Sequence, residues 1–133
     1  MSDQAQQPDT TPGIFCWNEL ATRDPAASTK FYTQLLGWTA ETMSMGPGME
    51  YTFFKIAGQN AGGMLRLPLE VGNAPNAWLG YVTVTDLAAA VAKAKSLGAK
   101  VCKDITALPM GRFAIITDPT GAVLGLWEFT KQG

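Results

Sequence analysis

The chain contains no histidine. That removes Ser-His-Asp and Cys-His catalysis, HExxH zinc sites and every site that needs an imidazole as base or ligand. Charge is scarce too: 16% of the 133 residues are charged, against about 25% in an average domain. Ten basic and 11 acidic residues leave a net charge of −1, so no basic field exists to hold a nucleic acid or an anionic membrane. The two cysteines, Cys16 and Cys102, form no CxxC pair, and each reads as a small buried strand residue. The start, Met1 to Pro12, has neither a basic n-region nor an apolar h-region. No run approaches the roughly 18 apolar residues of a membrane span. These absences point to a cytoplasmic protein with no membrane or nucleic-acid partner.

What is present is a repeat. Hydrophobic residues make up 47% of the chain, enough for one compact domain. Residues 1–12 read as a disordered tail, and 13–130 as a single domain of two βαβββ modules, 13–66 and 77–130, joined by a linker over 67–76. Each module opens with a strand that ends in an aspartate, Asp24 or Asp86, placed where a helix N-cap belongs. Helices are predicted over 25–36 and 87–97, each stopped by a glycine, Gly37 or Gly98. Helical spacing turns Ala27, Phe31 and Leu35 inward on the first, and Leu87, Val91, Ala94 and Leu97 inward on the second. Strands are predicted over 38–43, 49–56 and 60–66, and again over 100–106, 111–117 and 122–130. Turn signals such as Gly46-Pro47-Gly48 and Asp118-Pro119-Thr120-Gly121 separate them.

The duplication, together with Glu19-Leu20-Ala21-Thr22-Arg23-Asp24-Pro25, Phe31-Tyr32, Leu35-Leu36-Gly37-Trp38 and the closing Asp118-Pro119-Thr120-Gly121 before Leu126-Trp127-Glu128, resembles the vicinal oxygen chelate superfamily. That group includes glyoxalase I, the bleomycin resistance proteins and the extradiol dioxygenases. The resemblance implies an α+β fold, with curved mixed sheets around a cup. In metal-dependent members each module supplies two ligands, His or Glu, from its first and last strands. The matching positions are Trp17 and Leu79, seven residues before the strand-ending aspartates, and Gly62 and Gly125, four residues after the turn glycines Gly58 and Gly121. None has a ligating side chain. Glu19 and Glu128 offer one oxygen each, on faces that alternation leaves open. No metal and no cofactor are therefore expected.

Strand alternation then picks out the cup-facing residues. Phe15, Trp17 and Glu19 come from the first strand and Met64 from the fourth. Leu79 and Tyr81 come from the fifth strand, and Trp127 from the last. These seven are the candidate ligand-binding residues. Glu19 can also be read as an ion pair with Lys55 or Arg112 at the rim. Asn18 reads as helix-facing, and Lys93 and Lys95 as a solvated face. No catalytic residue can be assigned. The expected function is metal-independent binding of a small apolar or aromatic molecule. The alternatives are a metal-free isomerase- or lyase-type enzyme, and a non-binding interaction module. Scarce charge and the need to cover sheet edges predict a homodimer.

Overall fold

The computed structural model describes residues 10–67 and 75–130. Most of the expected tail and residues 68–74 of the linker lie outside the described residues. The elements run β1 (Phe15–Thr22), α1 (Pro25–Leu36), β2 (Thr39–Gly46), β3 (Met49–Ile56), β4 (Gln59–Arg66), β5 (Ala77–Thr83), α2 (Leu87–Ser96), β6 (Lys100–Leu108), β7 (Gly111–Thr117) and β8 (Val123–Phe129). This is βαβββ twice, an α+β fold with both helices and most strands within two or three residues of the predicted bounds. The described residues fall into two compact units. One is Asn18–Leu79, and the other joins the residues up to Trp17 to those from Gly80 onward.

In the unit Asn18–Leu79 the strand order is β2-β3-β4-β1. The β1–β4 pair is parallel, with Glu19 opposite Gly63, and the other pairs are antiparallel. Asp24 starts α1 by accepting the Ala27 N–H at 3.1 Å, and Pro25 occupies the first turn. Gly37, at φ 74°, ends it with its N–H on the Thr33 carbonyl. The core is Leu20, Phe54 and Met64, with Tyr32 and Trp38 packed against it.

The inward face of α1 is not the predicted one. Ser28 shares a hydroxyl–hydroxyl bond with Thr22, and the Thr29 hydroxyl reaches the Met64 sulfur. The Tyr32 ring packs against Trp38 and Phe54. Ala27, Phe31 and Leu35 therefore point away from the sheet, and no residue of α1 is fully buried.

In the other unit the order is β5-β8-β7-β6, with β5–β8 parallel and Tyr81 opposite Gly125. Leu87 and Val91 of α2 pack on Ala114, Ile116 and Leu126. Burying an aliphatic side chain of this kind contributes about 1.5–3 kcal/mol. Leu97, expected inward, lies beyond the end of α2 and is exposed. Asp86 caps the helix through Ala89 N–H at 3.1 Å. Lys93 and Lys95 are exposed in its last turn, where they oppose the helix dipole. Cys102 is exposed as well. It sits in a register shift between Val101 and Lys103, where the ladder has no partner for it.

Candidate functional site

Two arrangements of polar and aromatic groups lie on the sheet faces turned away from the helices, one in each unit. In Asn18–Leu79, Glu19 is 8% exposed and accepts the Tyr51 phenol O–H at 2.9 Å. The Tyr51 ring lies over Gly63, where a Cβ would overlap the phenol. Phe53, two residues along β3, packs edge-on to Tyr51 at 5.0 Å. Neither expected ion pair of Glu19 forms: Lys55 pairs with Glu41 at 2.8 Å, and Arg112 with Glu128 at 2.9 Å. Sequence reasoning missed Tyr51. Its only signal was the alternation Tyr51, Phe53, Lys55 along β3.

In the other unit Tyr81, 4% exposed, lies over Gly125. Phe113 meets Tyr81 edge-on at 6.1 Å and lies at 14° to the plane of Trp127, 6.4 Å away. Phe129 extends the row, 5.8 Å from Trp127. Phe113, Trp127 and Phe129 are half-exposed. Phe113 faces Trp127 across β7 and β8, a pairing that the sequence pattern does not reveal.

The seven candidate residues are therefore not all brought together. Tyr81 and Trp127 share the aromatic row through Phe113. Phe15, 63% exposed, and half-buried Trp17 belong to the same unit. Glu19, Met64 and half-buried Leu79 belong to the other. Met64 is a correction: it is 2% exposed in the core beneath α1. Gly62 is turned the same way, for its Cβ would meet the Trp78 ring and the Asn18 carbonyl. The residue equivalent to Gly125 is Gly63. The cause is a bulge: Phe54 pairs with Gly62 but Lys55 with Asn60, so Ala61 is an extra residue in β4. Counting from the turn glycine therefore slips by one.

Glu128 does not share the face of the aromatic row. It accepts the Leu87 N–H at 2.7 Å at the start of α2 and receives Arg112 on both oxygens. The hydrogen bond and the charge of Glu128 raise the Arg112 pKa above its ordinary value. Its carboxylate thus anchors a helix. A shallow recess of about 340 Å³ lies on the α1 side of Asn18–Leu79, between Phe31, Tyr32, Asn76 and Trp78. The Trp78 indole N–H donates to the Tyr32 hydroxyl at 3.0 Å.

A family model described as the glyoxalase/bleomycin resistance protein/dioxygenase superfamily matches residues 15–126. The chain belongs to this superfamily. It is 34% identical over 121 residues to "Putative glyoxylase CFP32" of Mycobacterium tuberculosis, covering 90% of this chain and 46% of that protein. It is 31% identical over 130 residues to "Anthracycline biosynthesis protein DnrV" of Streptomyces peucetius, covering 88% and 47%. The chain thus spans about half the length of the curated relatives it matches. Among solved structures, Streptomyces coelicolor methylmalonyl-CoA epimerase aligns with a TM-score of 0.61 at 17% identity over 91% of this chain and all of that one. A hypothetical protein, BH1468 of Bacillus halodurans, aligns with a TM-score of 0.66 at 13% identity over 91% and 97%. At these identities the structural likeness concerns the fold alone.

Metal-dependent members of the superfamily hold an ion on ligands from first and last strands. The residues here do not fit one. Where last-strand ligands would project stand Gly63 and Gly125, and the space a side chain would fill there is taken by Tyr51 and Tyr81. Among the described residues no three His, Cys, Asp or Glu converge as a metal-holding group. Nor, among them, is any helix long and apolar enough to cross a membrane.

Proposed function

We propose that this superfamily member is a metal-independent binding protein for a small, planar, largely apolar molecule. The observation that carries the reading is the row Tyr81, Phe113, Trp127 and Phe129 on one sheet face, with three of its rings half-exposed. Aromatic faces left partly open to solvent bind flat ligands by stacking and apolar burial. Support comes also from the streptomycete relatives, whose name ties them to anthracycline biosynthesis. An anthracycline carries a flat polycyclic ring system of the size such a row would stack.

The test is titration of an anthracycline aglycone into the protein after treatment with a chelator, followed by tryptophan quenching. Saturable binding is expected without metal. Trp127→Ala should weaken it about ten-fold or more, on the scale of losing a stacking ring. Binding that appears only when metal is returned, or that Trp127→Ala leaves unchanged, overturns the proposal.

A second reading, a metal-free enzyme, draws on the Glu19–Tyr51 bond, which gives one proton donor and one acceptor in contact. Turnover abolished by both Glu19→Gln and Tyr51→Phe, with ligand affinity retained, would favour it over binding alone.

A further inference from the structure

Methionine is spread unevenly along the chain. Met43, Met45 and Met49 are half of its six methionines, and they stand around one turn, in Met43-Ser44-Met45-Gly46-Pro47-Gly48-Met49. Strands favour β-branched and aromatic residues over methionine. Met43 is 48% and Met49 52% exposed, so neither is there to fill a core. The β2–β3 ladder sets Met43 opposite Tyr51 and Gly46 opposite Met49. Met49 and Tyr51 are two residues apart on β3 and share a face, so Met43 and Met49 are diagonal neighbours across the pair. Between Ser44 and Gly46 the register shifts, and Met45 is the extra residue. In such a bulge two residues oppose one, so Met45 and Gly46 together face Met49. The Met49 sulfur reaches toward them, for it lies 3.9 Å from where a Cβ of residue 46 would stand.

We propose that the tip of the β2–β3 hairpin is a site for one soft monovalent cation, Cu(I), held by the thioether sulfurs of Met43, Met45 and Met49. Cβ atoms directly opposite one another across a strand pair are about 4.5–5.5 Å apart, and diagonal ones about 7–8 Å. Methionine is long, unbranched and adaptable, so at those spacings three such side chains can turn their sulfurs onto one ion. A thioether is neutral and polarizable and suits Cu(I). Zinc is bound by thiolate, imidazole or carboxylate, and calcium and magnesium by oxygen, none of which these three side chains supply. The surrounding charge agrees: from Thr42 to Phe54 the one charged residue is Glu50, so no lysine or arginine of that stretch opposes a cation. The site is separate from the position of a superfamily metal, whose ligands come from the first and last strands of each module. It is independent of the ligand reading, because the aromatic row lies in the other unit.

The test uses the full chain with Cys16→Ser and Cys102→Ser, since thiolates would compete for the metal. Cu(I) is added anaerobically as its acetonitrile complex, and the methionine methyl signals are followed by NMR. Those of Met43, Met45 and Met49 should shift together and saturate at one ion per chain, while those of Met64 and Met110 stay in place. Zn(II) should leave all of them unmoved. Replacing the three residues by leucine keeps volume and apolarity but removes the sulfurs. That variant should keep the far-UV spectrum and lose the bound ion in equilibrium dialysis. Met110→Leu, at another exposed methionine, should bind as the parent does. Copper retained by the triple leucine variant overturns the proposal, and so does a titration in which the three signals do not move together. Equal shifts with Zn(II) overturn the assignment of a soft cation. Should the triple variant fail to fold, the methyl shifts of the parent protein decide alone.

Discussion

Gly125→Ala tests whether a tyrosine ring holds the place of a lost ligand side chain. A Cβ at residue 125 would overlap the Tyr81 ring and come within 2.7 Å of its Cγ. Cγ lies next to the backbone end of the side chain, so swinging the ring tip aside gives no relief. Tyr81 is 4% exposed and is held by Phe113, so either its χ1 or the strand must move. Overpacking of this kind costs about 1–3 kcal/mol. The stiffer unfolded chain of the alanine variant returns about 0.4–1 kcal/mol. The expected net loss is therefore about 1–2 kcal/mol by equilibrium urea unfolding. In a Tyr81→Ala background the collision is gone, and the same substitution should be neutral or stabilising. Gly63→Ala is the comparison. There the nearest atom is the Tyr51 hydroxyl, at the free end of its side chain, so the ring can yield and the main loss is the bond to Glu19. If Gly125→Ala is as stable as the wild type in both backgrounds, Tyr81 does not occupy that space, and the argument against a metal at this position fails with it.

Glu128→Ala should cost about 1–2 kcal/mol, as loss of a helix cap does, because the Leu87 N–H at the start of α2 loses its acceptor. Glu128→Gln, which keeps an oxygen there, should cost less in the same urea titration. Hydrogen bonds from the Thr120 hydroxyl and from the Ala122 and Thr120 N–H groups hold the Asp118 carboxyl below its ordinary 3.8. Its stabilising contribution is therefore fully present above pH 3.8 and is lost as the pH falls through the lowered value. Asp118→Asn should flatten the stability–pH curve in that acid window and leave its shape near neutrality unchanged. Among the described residues the buried Thr83 hydroxyl has no hydrogen-bond partner, so Thr83→Val should raise stability by about 1 kcal/mol, read as a higher melting temperature.

Local rules with a fixed geometry could be read directly from the residues. Asp24 and Asp86 cap the two helices as their positions require. The Asp118-Pro119-Thr120-Gly121 turn closes on the Asp118 side chain. What could not be read depended on partners distant in sequence. The bulge at Ala61 moved Gly63 rather than Gly62 to the face of Glu19, and carried Met64 into the core. Nothing in residues 58–64 announces an extra residue, because a bulge is a property of the ladder between two strands. The partner of Glu19 was missed for a similar reason. Coulomb reasoning looks for a cation, yet Lys55 and Arg112 pair with Glu41 and Glu128, and a tyrosine hydroxyl meets Glu19.

The inversion of α1 shows where periodicity itself stops. The spacing of Ala27, Phe31 and Leu35 identifies a helix and an apolar line on it, and nothing in the spacing says which side meets the sheet. That choice fell to Thr22, Met64 and Phe54, which offer a hydroxyl, a sulfur and a ring to Ser28, Thr29 and Tyr32. Small polar residues sit close to the sheet by bonding to it, and Tyr32 fills the remaining space together with Trp38. A helix seated this way leaves its more apolar side outward, and that side retains a hydrophobic driving force of about 25 cal/mol for each Å² it can still bury. The periodicity identifies the helix and its apolar line, and in this chain that line is exposed rather than buried against the sheet.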